Sequence, residues 1–224
     1  MKDSENSKHP FSKCKYQDIV KYTSLIATSA NIDNSVIDKK ILNLREFCKN
    51  VGIKGKDFGL VISAAEDPKS FDAAKTVLKL KESDLRFTVV TEMFYLNFDN
   101  GIISDKEKKQ IYDIAKSIGV KDEQVLAIEK YVRVASKAKN SKSSKEEFKK
   151  LGGQLLSSLA SVGVPVGTVA ASGSVVGLSA AGITSGLAAL GMGAGMATGV
   201  GVAVAIGVGS YFGVNWAYNK IVGE

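Results

Sequence analysis

The sequence predicts an all-α fold: a helical bundle of two related halves, followed by a C-terminal glycine-rich transmembrane helical hairpin. Three observations carry that prediction. Apolar residues recur at helical spacing from Tyr16 to about Ala138, a turn–helix–glycine unit occurs twice within that stretch, and no ionised side chain lies between Lys150 and Lys220. The 224 residues are ample for a buried core. They divide as a disordered leader over 1–15, a helical domain over 16–135, a linker over 136–144, and an amphipathic helix with an apolar segment over 145–224.

The elements follow in order. The leader has no apolar h-region, so it does not read as a secretory signal. Ile37, Ile41, Leu44, Cys48 and Val51 step by four and three, one face of an α-helix. Asp67-Pro68 reads as an N-cap with proline at the first helical position, and Phe71, Ala74 and Leu78 as the apolar stripe of the helix it opens. Leu85, Val89, Met93 and Leu96 form a further stripe. Ile111, Ile114, Ala115 and Ile118 form the next, then Val125, Ile128, Val132 and Ala135. No run of period two is long enough to claim a sheet.

Two segments repeat. Asn31 to Lys40 makes a turn into a helix that stops at Val51-Gly52-Ile53-Lys54, and Phe98 to Glu107 does the same before Ile118-Gly119-Val120-Lys121. Each glycine sits where a helix C′ residue takes positive φ. The second unit, with Phe98-Asp99-Asn100-Gly101 and then Glu107 on an apolar helix, resembles the TerB-like domain of tellurite-resistance and stress proteins. The resemblance covers roughly residues 16–134 and implies a small two-halved helical bundle with a divalent-metal site, here Asp99, Asp105 and Glu107. The first half departs from the pattern, with Ser35 where a glycine and Lys40 where a glutamate would stand.

Read from the residues alone, the same positions have a plainer meaning. Ser104-Asp105-Lys106-Glu107 spells a capping box, and Asp99-Asn100-Gly101 is ordinary turn chemistry. An EF-hand is excluded, because placing Gly101 at loop position six puts Leu96 and Phe98 at ligand positions. Apart from the possible divalent metal, no cofactor is indicated. His9 is the one histidine and falls in the polar leader, so Ser-His-Asp and Cys-His catalysis lack a placed base. Cys14 and Cys48 make neither a zinc set nor a disulfide scaffold and suit a reducing cytoplasm. No enzyme is expected.

The charge is uneven. The first 150 residues hold 29 basic and 22 acidic side chains, the whole net +7, while only 5 of the 22 glycines lie there. Ser136 to Ser144 is rich in lysine and serine and reads as a hinge, and Ser144 to Glu147 as a capping box opening an amphipathic helix. Its lysines, followed at once by apolar chain, favour anionic lipid as partner. With three arginines and no interleaved aromatics, nucleic acid is not expected as a partner.

The 69 residues without charge would extend on the order of 100 Å as helix, enough to cross roughly 30 Å of hydrocarbon twice. Met192 to Val214 is the cleaner span, with Tyr211, Trp216 and Tyr218 placed as at an interface. Glycines four apart, Gly163/Gly167, Gly173/Gly177, Gly182/Gly186, Gly191/Gly195/Gly199 and Gly209/Gly213, would let helices approach closely and oligomerise. The pattern resembles glycine-zipper segments of bacterial membrane proteins. A phosphate-binding loop does not fit, since no Lys-Ser/Thr follows Gly195. The expectation is a non-enzymatic stress or defence protein of the inner (cytoplasmic) membrane. Its soluble part would bind a protein partner or ion, and its membrane part would form a homo-oligomer. The alternative is a pore-forming or membrane-permeabilising effector.

Overall fold

The computed structural model of the chain describes residues 9–30, 37–98, 102–138 and 142–173. Among them every regular element is helical: α1 (Tyr16–Thr28), α2 (Ile37–Asn50), α3 (Lys56–Glu66), α4 (Ala74–Lys81), α5 (Leu85–Asn97), α6 (Asp105–Ser117), α7 (Asp122–Ala138), α8 (Lys142–Ser161) and α9 (Val166–Ala170). Short 3₁₀ turns span Pro10–Lys13 and Pro68–Ser70.

The architecture is organised around α5. Every residue from Phe87 to Asn97 is buried, so its apolar positions form no stripe and the helix is enclosed on all sides. Helices α1, α2, α4, α6, α7 and α9 and the Pro10–Lys13 turn all contact it. The stripe Leu85, Val89, Met93 and Leu96 marks only part of its contact surface. Elsewhere the periodicity locates the core directly: Leu44 and Cys48 on α2, Ile111 and Ala115 on α6, and Val125, Ile128, Val132 and Ala135 on α7 are buried.

One stripe is displaced. Asp67 caps a 3₁₀ turn rather than an α-helix, its carboxylate accepting from the Lys69 amide at 3.3 Å. The α-helix restarts at Ala74, whose amide donates to Asp72 at 3.1 Å. That restart rotates the buried face onto Thr76 and Leu80, and leaves Leu78 64% exposed.

Both repeat glycines end helices as read. Gly52 has φ +84° and Gly119 φ +79°. In each, the glycine amide donates to the carbonyl three residues back and the next amide to the carbonyl five back: Gly52 to Lys49 and Ile53 to Cys48, Gly119 to Lys116 and Val120 to Ala115. Ile53 and Val120 are then buried, the apolar contact that accompanies this stop. A third copy closes α8. Gly163 has φ +73°, its amide donates to Ala160, that of Val164 donates to Leu159, and Val164 is buried. Gly163 therefore caps a helix of the bundle.

The helical unit extends beyond both expected boundaries. At its start Phe11 is 1% exposed, so residues 9–15 belong to the fold. At its end α7 runs through Ala138, and α8 starts at Lys142, two residues before the expected Ser144 cap. α8 folds back along α7, and Gln124 near the start of α7 donates to the Val162 carbonyl at 2.9 Å, which fixes the two helices antiparallel. Leu156, Leu159, Val164 and Val169 join the common core. Burying a side chain such as Leu159 contributes about 2 kcal/mol, so this hairpin stabilises the bundle substantially. No helix among the described residues is long and apolar enough to cross a membrane.

Candidate functional site

Among the described residues, two polar arrangements inside the helical unit join parts of the chain more than 60 residues apart. The first lies at the start of α6. Ser104 caps it, its hydroxyl accepting from the Glu107 amide at 3.3 Å, and Glu107 returns the bond, accepting from the Ser104 amide at 2.9 Å. The capping box is complete. Glu107 Oε1 also accepts from Lys40 Nζ, and that ammonium donates to the Ala30 carbonyl at 2.6 Å.

The arrangement explains the lysine. The Ala30 carbonyl, just past the end of α1, carries a partial negative charge, and Glu107 adds a full one. A cation bridging them is the complement, and Lys40 supplies it from within the chain. Burial pushes the Glu107 carboxyl up, but Lys40 and the hydroxyl and amide of Ser104 together hold it below the ordinary glutamate value. Of the three residues the resemblance implies for a metal, Glu107 thus has both oxygens engaged, Asp105 lies in the first turn of α6, and Asp99 lies outside the described residues. Among the described residues no group of three His, Cys, Asp or Glu side chains is placed to hold a metal.

The second arrangement was not anticipated. Glu92 sits on α5 with no exposed surface. Its Oε1 accepts from His9 Nε2 at 2.9 Å and from the Gly173 amide at 2.7 Å. His9 Nδ1 accepts from the Phe11 amide, so the ring hydrogen is on Nε2 and both nitrogens are engaged. Phe11 and Phe47 pack edge-on against the imidazole. Gly173 has φ +96° and lies against Tyr95, where an added Cβ would come within 2.8 Å of the ring. A signal existed in the sequence: Glu92 is a single acid inside the apolar run from Phe87 to Phe98, and His9-Pro10-Phe11 carries the one aromatic of a polar leader.

Other features are chemically quiet. Glu129 on α7 takes Lys108 at 3.0 Å, Tyr112 at 3.1 Å and Arg133 at 2.5 Å. Cys48 is buried, and burial pushes its thiol up to about 12, which leaves it protonated and unreactive. Between α1 and α3 an apolar groove of about 370 Å³ is bordered by Tyr16, Val20, Leu60, Ala64 and Phe71.

Among the sequence-derived glycines, Gly173 is placed by the structure as above, outside any helix. Gly177, Gly182, Gly186, Gly191, Gly195, Gly199, Gly209 and Gly213 lie outside the described residues, as does Trp216. No protein-family model matches the chain, and no curated protein or solved structure is significantly similar to it.

Proposed function

We propose that the chain is a non-enzymatic, membrane-associated stress or defence protein. In this reading a TerB-like helical module is tethered to an oligomerising hairpin in the inner membrane. The observation that carries the reading is the uncharged run. Part of it, through Gly173, packs into the helical unit, and 46 residues without an ionised group remain before Lys220. As helix they would extend roughly 70 Å, close to two crossings of a hydrocarbon core of about 30 Å. Lys149, Lys150 and Lys220 flank the run, which favours both ends on the cytoplasmic side.

The soluble module is read as a partner-binding device. Lys40 stands on Glu107, which favours a protein over a divalent ion as the partner. The glycines from Gly177 to Gly213 would form the helix–helix contacts of a homo-oligomer.

Fractionation of cells expressing the intact chain tests the proposal. It should stay with membranes through a carbonate wash, and recovery in the soluble fraction would refute it. Expression of residues 145–224 alone separates the permeabilising alternative: an anchor leaves membrane potential intact, whereas a pore collapses it.

A further inference from the structure

Glu92 is an expensive residue to bury. Its Oε1 serves two donors, while among the described residues Oε2 has no hydrogen-bond partner, and the side chain has no exposed surface. One turn further along α5 the Tyr95 hydroxyl is likewise without a partner among the described residues. An apolar side chain of similar size would avoid the desolvation cost of the free oxygen. What the carboxylate does that an apolar residue could not is join two distant pieces of chain. His9 is 83 residues before it and Gly173 is 81 after it, and both donate to the same atom.

The strap His9–Lys13 and the helix α9 border a cleft of about 580 Å³, lined by His9, Ser12, Lys13, Gly167, Thr168 and Ala171. Beneath this cleft Glu92 accepts one hydrogen bond from each side.

We propose that Glu92 is a latch that couples the N-terminal strap to the exit of the helical unit at Val166–Gly173. When the strap leaves, Glu92 loses its imidazole donor and its cover, and water reaching the carboxylate competes with the Gly173 amide for Oε1. By linkage the coupling is reciprocal: loosening Gly173 also loosens the strap. Residues 174–219 follow directly, so the latch regulates the point from which the uncharged segment departs. That last consequence rests on the membrane reading above; the coupling itself does not.

Hydrogen exchange on the intact chain in mild detergent, read by mass spectrometry, tests the latch. His9→Ala should raise exchange of the Gly167–Gly173 amides about tenfold, with α6 and α7 unchanged as the internal check on folding. His9→Gln, which keeps an N–H donor, should restore most of the protection. Unchanged exchange at Gly173 in a folded His9→Ala chain would overturn the proposal. Should that variant unfold, Glu92→Gln decides in its place: it keeps an acceptor oxygen but not the charge, and must loosen the strap and Gly173 together. Loosening of one alone overturns the latch. Flotation with phosphatidylglycerol vesicles separates the two readings. Flotation of the intact chain together with raised exchange in His9→Ala supports the latch and the membrane reading together. Raised exchange in a chain that does not float supports the latch and removes the membrane reading.

Discussion

Lys40 shows how one side chain can decide what a site is. Its ammonium ties the end of α1 to the first turn of α6 through the Ala30 carbonyl and Glu107. Replacing it by Met leaves a mostly buried carboxylate short of its cation, and Lys40→Met should lower stability by about 2 kcal/mol in a denaturant titration. Adding Glu107→Gln should recover part of that loss, since the unpaired charge goes with it. The pH dependence has a definite sign. The Glu107 and Glu129 carboxyls are both held below the ordinary value: burial raises each, and Lys40 and Ser104 for one, Lys108, Arg133 and Tyr112 for the other, outweigh it. A depressed folded-state value gives stability that is complete above the unfolded-state value, about 4.3, and is lost as pH falls through the folded one. Melting temperature should therefore hold from neutrality to about pH 5 and drop below it, and Glu129→Gln should flatten the drop. At this scale local signals were legible and distant ones were not. The three-residue spacing from Ser104 to Glu107 announces its own hydrogen bonds. That Lys40 and His9 would find acids 67 and 83 residues away depends on the packing of α1, α5 and α6, which no window of sequence contains.

Helix stops give the element scale its clearest rule. Val51-Gly52-Ile53, Ile118-Gly119-Val120 and Val162-Gly163-Val164 share one geometry: positive φ, paired backward bonds, and a buried apolar residue after the glycine. The first two were legible because charged helices precede them. The third was masked by its uncharged surroundings, where spacing of four to Gly167 also suits a membrane zipper. Composition dominated the reading there, although the local pattern was the same. Gly163→Ala tests the assignment. It should cost about 1 kcal/mol of stability through positive-φ strain and leave the oligomeric state unchanged. A change of oligomer size without loss of stability would return Gly163 to the zipper. The misplaced stripe on α4 has a different origin. Asp67-Pro68 begins a helix correctly, but a 3₁₀ one, and three residues of turn shift every later position around the axis.

At the scale of the molecule, the all-helical class of the described residues was legible because periods of three and four recur over the first 138 residues. The extent of the helical unit was not. A lysine- and serine-rich stretch looks like a hinge in one dimension, yet α7 crosses into it, and α8 returns to bury Leu156 and Leu159. Truncation should expose the difference. A chain ending at Asn140 leaves the α7 face that α8 covers open to water, and it should melt at least several degrees below a chain ending at Gly173. Equal melting temperatures would mean that α8 and α9 add nothing to the core.

The division at Gly173 separates an ionised, water-compatible bundle from residues that carry no charge until Lys220. Sedimentation velocity of the intact chain in buffer without detergent puts that division to the test. The account predicts large aggregates and no monomer, and a compact monomer once the chain is cut after Gly173. A single sharp boundary at 23.7 kDa for the whole chain would contradict it.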